Sequence, residues 1–519
     1  MTVKVVAVAA VVAAVAGLLL AAALLGAAAT NATAAVHPNV ILILTDDLDV
    51  NLHSLGFMPH LKAAMSEQGT TFSNYFVPVS LCCPSRATIL LGQYSHNHHI
   101  FSNFLPDGGF QLFQQLDLDK ATIATALQAA GYRTVLMGKY LNGYPHTESA
   151  TYVPPGWSEW YVPANNNAYG GFNYQLNENG RLVDYGGAPE AYMTDVLAAK
   201  AADVIRRAKG SGQPYFLYLA TYAPHAPATP APRHQNLFPD LQAPRPPSFN
   251  ESAATLRDKP QQFRDVPPLA ASDVAKIDAL YRRRIQSLQA VDELVARVLW
   301  ALQINGELDQ TYVLFTSDNG FHMGEHRFRP GKYTAYEEDV HVPLVVRGPG
   351  IAAGRVRDDL AMSVDLAPTF ADLAGATLGI RTDGRSLVPL LTGGGPAPAD
   401  WRQVALLEQR PFPQQAPATG TTGHAGVLEP PDPGDAPGLG GFPPVTFRGL
   451  RTKSAKYVEY ATGEREYYDL AADPYEIHNR IKAVDRGWLA QLAAVLARLH
   501  DCAGKSCRAA ESTPLTPPR

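Results

Sequence analysis

Apolar and polar positions fall into two alternating patterns along this chain. Unbroken apolar runs occur at Val40–Leu44, Thr134–Met137, Tyr215–Leu219, Tyr312–Phe315 and Pro343–Val346. Runs of this length predict strands buried on both faces. Between them, Pro59–Gln68, Ala121–Ala130, Ala191–Arg207, Asp273–Leu302 and Val364–Ala374 repeat apolar residues with a period of about 3.6, which predicts helices. The alternation predicts an α/β fold with a mixed, mostly parallel sheet covered by helices. Ligands of such sheets bind beyond the carboxyl ends of the strands. Four of the runs lead directly into metal-type or proton-transfer residues: Asp46-Asp47, Gly138-Lys139, Thr221 to His225, and Asp318-Asn319.

The pattern changes after about residue 385. Residues 411–444 are rich in Pro and Gly and cannot bury a core. Short strand-like runs follow at Thr446–Thr452, Lys456–Tyr460 and Glu466–Leu470, then a helix at Arg486–Leu499. The chain therefore divides into a leader or anchor (1–36), a main domain (37–384) and a small antiparallel C-terminal subdomain (385–519). A second Pro-rich stretch, 223–272, reads as an extended loop within the main domain.

Composition narrows the function classes. The 519 residues are 46% hydrophobic and 18% charged, which excludes a wholly disordered chain. Lys and Arg number 43 against 48 Asp and Glu, a net charge of −5, so the basic excess of a dedicated nucleic-acid binder is missing. Lys4 precedes an uncharged segment, residues 5–29, with small residues following. This reads as a signal peptide, or alternatively as an uncleaved anchor, and predicts an exported protein, secreted or associated with the cell envelope. Cysteine is scarce. Cys502 and Cys507 either close a small loop in an oxidising compartment or remain free thiols, and the adjacent Cys82 and Cys83 are poorly placed to bridge each other.

The segment Leu81-Cys82-Cys83-Pro84-Ser85-Arg86-Ala87-Thr88 contains Cys-x-Pro-Ser-Arg. With it come NVILILTDD, MGKYLNGY, PPGWSEWY, APHAP, TSDNGFHMGEH, PGKYTAYEEDVHVPLVVRGPG and YYDLAADPYEIHN, in that order along most of the chain. These blocks resemble the sulfatase family, and within it the glucosamine-6-sulfatases and related bacterial arylsulfatases. The resemblance implies an alkaline phosphatase-like fold and hydrolysis of a sulfate monoester on an aryl sulfate or a sulfated aminosugar. It also implies conversion of Cys82 to formylglycine by a formylglycine-generating enzyme. The aldehyde hydrate carries two hydroxyls: one attacks sulfur, and deprotonation of the other expels sulfate.

The residue types suit that chemistry. An inert, shielded S–O bond needs a strong nucleophile, cations around the sulfuryl oxygens and an acid for the leaving group. The family pattern, carried onto this chain, places one divalent metal on Asp46, Asp47, Asp318, Asn319 and the modified Cys82. Hard oxygen donors of this kind suit calcium, or magnesium, rather than zinc. By the same resemblance Arg86 and Lys139 hold the diol and metal-side oxygens, Lys332 contacts the sulfate, and His225 is the leaving-group acid. Aromatics and amides in Trp157–Gly171 are candidates to pack a sugar or aryl ring, or simply form a packed surface loop.

One position departs from the family pattern. Many arylsulfatases read Gly-Lys-x-His, with that His taking the proton during sulfate elimination. Here Leu141 holds that position, followed by Asn142. His96, His98, His99, His322 and His326 are the alternative bases. A phosphonate or phosphate ester hydrolase on the same scaffold, and a non-catalytic sugar-binding homologue, are the competing readings. The expected partners are a sulfated small molecule or glycan and the maturation enzyme, with no nucleic acid and no stable membrane partner beyond an N-terminal anchor.

Overall fold

All five apolar runs form strands, and each is buried on both faces. The computed structural model describes residues 37–145, 149–392, 394–410 and 445–517. The leader (1–36) and the Pro/Gly-rich stretch (411–444) lie outside the described residues. The strands are β1 (Asn39–Thr45), β2 (Thr70–Phe72), β3 (Tyr75–Phe76), β4 (Arg133–Gly138), β5 (Glu159–Pro163), β6 (Tyr174–Glu178), β7 (Arg181–Tyr185) and β8 (Tyr215–Ala220). They continue with β9 (Thr311–Ser317), β10 (Leu344–Arg347), β11 (Arg355–Arg357), β12 (Ala361–Met362), β13 (Ala405–Gln409), β14 (Phe447–Arg451), β15 (Ala455–Tyr460) and β16 (Arg465–Asp469).

Ten strands make one sheet in the order β11-β2-β10-β9-β1-β8-β4-β5-β6-β7. The central five, β9, β1, β8, β4 and β5, run parallel. β10 joins β9, and β6 joins β5, antiparallel. The sheet is thus mixed and mostly parallel at its centre, as the apolar runs predict.

Alternation along each strand separates two cores. Val40, Leu42 and Leu44 of β1 enter one, with Phe216 and Tyr218 of β8 and Leu314 of β9. Ile41 and Ile43 enter the other, with Leu217, Leu219, Val313 and Phe315. The second core is closed by the helices Met193–Ala208 and Ala271–Asn305, which pack on each other. The first is closed by the helices Cys82–Leu91, Ile123–Ala129 and Leu366–Ala374, and it continues into an antiparallel sheet in the order β13-β14-β15-β16.

Three details differ from the sequence-based reading. Every residue of the helix Cys82–Leu91 is buried, so it shows no polar face and no period to detect. The segment expected as one helix at Pro59–Gln68 is a helical turn, Pro59–Leu61, followed by a wider π turn, Lys62–Ser66. β13 carries only a short apolar run before Glu408, too brief to signal a strand. Cys502 and Cys507 form a disulfide between the helices Arg486–His500 and Lys505–Glu511.

Gly138 closes β4 just before Lys139. Its φ is +89°, and a Cβ there would stand 1.7 Å from the carbonyl oxygen of Ala220. Only glycine accepts both constraints. Gly138→Ala is expected to destabilise the fold by about 2 kcal/mol or more. Gly56→Ala, with open space around the new methyl, should stay within about 0.5 kcal/mol. Chemical denaturation of the two variants checks this.

Candidate active site

Four loops leave the carboxyl ends of β1, β4, β8 and β9 side by side, because those strands are parallel neighbours in one register. Asp46 and Asp47 follow β1, Lys139 follows β4, His225 lies beyond β8, and Asp318 and Asn319 follow β9. The helix Cys82–Leu91 points its first residue at them. Cys82 and Arg86 are four residues apart on that helix, so their side chains share a face. Cys83 turns the other way into the core, where burial pushes its thiol up to about 12. The one-residue offset separates a site thiol from an inert one.

Contacts among these side chains are direct. Cys82 Sγ is 3.4 Å from Asp46 Oδ1 and 3.1 Å from Lys332 Nζ. Lys332 Nζ also donates to Asp47 Oδ1 at 2.8 Å, and Lys139 Nζ donates to Asp46 Oδ2 at 2.6 Å. Arg86 donates through Nε to Asp318 Oδ2 at 2.7 Å and through Nη1 to the Lys139 carbonyl at 2.8 Å. His225 Nε2 stands 3.5 Å from Asp47 Oδ2. Its Nδ1 lies 2.7 Å from the Ala226 carbonyl, which can only accept, so Nδ1 carries a proton. All nine side chains predicted for the site meet here, and none belongs to a residue more than 3% exposed.

Burial and charge set the protonation states. Burial alone would raise the Asp46 carboxyl, but Lys139, His225, Arg86 and Lys332 together hold it well below the usual carboxylate range. Burial pushes Asp318 up to about 6, with Arg86 opposing the rise and Asp46 adding to it. Burial would lower Arg86, yet Asp318 and Asp46 keep it cationic. A cation among the carboxylates would draw Asp318 back down.

The donor set fits a hard divalent cation. Asp47 Oδ2 and Asn319 Oδ1 are buried and accept no hydrogen bond. Asp46, Asp47, Cys82 and His225 each offer a ligand atom, all within 4.8 Å of one another. Two oriented oxygens without donors, at the centre of buried carboxylates, are what such a cation satisfies.

The alternative histidines separate clearly. His96 bonds Glu408 at 2.9 Å and faces the Cys502 carbonyl. His98 lies against Thr88 Oγ1 and the Ile100 amide, and burial lowers it to about 3. His99 is exposed beside Phe101, and His326 bonds Glu251 at 2.7 Å. His322 sits against the turn that carries Lys332: its backbone bridges Gly331, the residue before Lys332, and its Nδ1 lies 2.9 Å from Asp339 Oδ1. Of the aromatic block, Trp157 and Trp160 pack into the core. Tyr169 instead reaches the site, its ring 4.8 Å from that of His225 and 5.2 Å from Lys139 Nζ.

Two supporting residues escaped the sequence reading. Arg284, from the helix Ala271–Asn305, donates to the Asp47 carbonyl and, at 3.3 Å, to the Pro224 carbonyl, while stacking on Phe321. One buried guanidinium thus clamps the loops of Asp47 and His225. Asp339 holds the turn that delivers Lys332, accepting from Thr334 N at 2.9 Å and pairing with His322. Neither lies in a run or spacing that marks such a role.

A family model described as Sulfatase matches residues 38–376. The N-acetylglucosamine-6-sulfatase of Capra hircus is 36% identical over 497 residues, covering 92% of this chain and 86% of the relative. A solved structure in complex with its substrate D-glucosamine-2-N,6-O-disulfate superposes with a TM-score of 0.70 at 24% identity, covering 91% of this chain and 98% of that one. The phosphonate monoester hydrolase of Silicibacter pomeroyi superposes with a TM-score of 0.64 at 24% identity, covering 89% and 94%. The two superpositions show a shared fold. With two thirds of its length inside the family model and a relative above one third identity along almost all of it, this chain belongs to the sulfatase family, whose members hydrolyse sulfate esters.

Proposed function

We propose that this protein is a formylglycine-dependent sulfatase that removes sulfate from a sulfated aminosugar or an aryl sulfate, with one divalent cation, calcium, at Asp46, Asp47, Asp318 and Asn319. The observation that carries the reading is the position of Cys82, at a helix start, 3.1 Å from Lys332 Nζ and 3.4 Å from Asp46 Oδ1. Cys82 Sγ stands in for an oxygen of the aldehyde hydrate. The substrate class is supported by the named relative and by the sugar in the superposed structure, and a phosphonate substrate has only the shared fold behind it.

When bound, the cation would acidify a hydroxyl at position 82 and offset the charge of a sulfuryl oxygen. The chain's own residues do the rest. Lys332 bridges the nucleophile and Asp47, which places its ammonium to contact a sulfuryl oxygen bound beside position 82. Arg86 and Lys139 hold the Asp318 and Asp46 carboxylates in place. His225, its Nδ1 proton tied to Ala226, presents Nε2 as the atom that delivers a proton to the leaving oxygen. Burial of the whole set strengthens each interaction by excluding water. Leu141 is buried and contributes no proton acceptor beside Lys139.

We further propose export of the protein and conversion of Cys82 by a formylglycine-generating enzyme. The leader composition and the Cys502–Cys507 disulfide support an oxidising destination. None of the described helices is long and apolar enough to cross a membrane.

Purified protein should hydrolyse 4-nitrophenyl sulfate faster than the matched phosphate and phosphonate monoesters, and Cys82→Ala should lose that activity while keeping its thermal stability. Mass analysis of the peptide spanning position 82 should show the difference between a thiol and an aldehyde side chain. Undiminished turnover by Cys82→Ala, or an unmodified thiol in active enzyme, overturns the reading. Chelation should abolish turnover and lower the melting temperature, with calcium restoring both, because a ligand held only by the folded state stabilises it. Arg284→Gln should weaken calcium affinity by roughly tenfold or more, read by titration of the chelated protein, with circular dichroism unchanged.

A further inference from the structure

Five central strands of the sheet are parallel, so a fifth loop leaves its carboxyl end beside the four that carry the carboxylates, Lys139 and His225. This loop follows β5, turns at Asn166–Gly170 and brings in Tyr169. Loops at that end of an open sheet line its ligand crevice. Tyr169 is 6% exposed, and its neighbours are residues of the site. Its ring centroid lies 4.8 Å from that of His225, tilted by 59°, and 4.7 Å from that of Tyr222, steeply inclined at 77°. Lys139 Nζ stands 5.2 Å from the same centroid. Tyr169, Tyr222, Leu141 and Asn142 line a cavity of about 10 Å³. That is room for no more than one water, so the ring cannot swing away on that side. The turn is held as well: Asn167 Nδ2 donates to the Asn173 carbonyl at 2.7 Å, and Met193 N donates to the Gly171 carbonyl at 2.9 Å.

The neighbours of this ring assign it to one side of the reaction. An in-line displacement puts the nucleophile and the leaving oxygen on opposite sides of the sulfur. Lys332 marks the nucleophile side, through Cys82. His225 marks the other, because the leaving oxygen must come within hydrogen-bond reach of its Nε2. The carbon bonded to that oxygen therefore enters beside His225, where Tyr169 stands. A large, fixed aromatic ring at that place suits the apolar surface of another ring rather than a second charge.

We propose that Tyr169 is a specificity-determining residue: its ring is the wall against which the first ring of the leaving alcohol, aryl or aminosugar, packs while His225 protonates the oxygen. The proposal rests on the sulfatase reading and extends it from the sulfate ester to the group that carries it. A contact to the leaving group is made in the bound ester and in the transition state alike, so its loss raises KM and leaves kcat nearly unchanged. A ring that served only to hold Lys139 or His225 would act on kcat, or on the affinity for sulfate itself.

Steady-state kinetics of the calcium-loaded, full-length protein test this. Tyr169→Leu should raise KM for 4-nitrophenyl sulfate and for glucosamine 6-sulfate by roughly tenfold, with kcat within about threefold of the parent. Competitive inhibition by inorganic sulfate, which has no leaving group, should be unchanged. Tyr169→Phe keeps the ring and should match the parent in all three constants. Melting temperatures check the fold, and Tyr169→Met takes the place of Tyr169→Leu where the latter is unfolded. An unchanged KM in the ring-less variant overturns the proposal. So does weaker inhibition by sulfate, or a fall in kcat at constant KM, since either assigns the ring to holding Lys139 or His225. A parent that turns over neither ester contradicts the sulfatase reading itself, so the two failures are distinguishable.

Discussion

The site depends on three carboxylates and three cations held together out of water. Asp46, Asp47 and Asp318 are fully buried, and so, within 3%, are Arg86, Lys139 and Lys332. An unpaired buried charge would cost several kcal/mol, so each carboxylate must find a cation. Each has a hydrogen-bonded cation: Lys139 on Asp46 Oδ2, Lys332 on Asp47 Oδ1, Arg86 on Asp318 Oδ2. The pairing leaves Asp47 Oδ2 and Asn319 Oδ1 without a donor, beside the Cys82 nucleophile position. With a divalent cation added, the balance becomes positive, which is the field an anionic ester needs in order to enter a dry site.

This arrangement explains why the sheet was readable and where reading stopped. Strands buried on both faces must be apolar throughout, so the polar residue that ends each run marks its carboxyl end. Asp46, Lys139, His225 and Asp318 were visible for that reason, and their convergence followed from parallel neighbours sharing a register. The Cys82 helix was not visible as a helix, because total burial erases the periodicity that betrays one. The family blocks, rather than the pattern, brought Cys82, Arg86 and Lys332 into view.

Arg284 shows the limit from the other side. It ends the run Arg282-Arg283-Arg284, of which Arg283 is exposed and Arg282 half-buried. The helix turns about 100° per residue, and the third arginine faces inward, under the loops of Asp47 and His225. Only the phase of the helix against the sheet separates a surface charge from a structural clamp, and phase is a tertiary quantity.

The same network reaches the C-terminal sheet. The turn that carries Lys332 ends at Glu337, which pairs with Arg451 of β14 at 3.0 Å and Lys456 of β15 at 2.9 Å. Lys456 continues to Glu476 at 2.8 Å, whose carboxylate in turn accepts from the Glu337 amide. Burial pushes Glu476 up to about 7, with Lys456 opposing it and Glu337 adding to the rise, while Arg451 and Lys456 hold Glu337 down against its own burial. Removing one member of such a chain strands another charge in the interior. The C-terminal sheet therefore does more than cap the first hydrophobic core: its cations hold the turn from which Lys332 reaches the nucleophile, and the position of that ammonium is set as much by β14 and β15 as by the strands that carry the carboxylates.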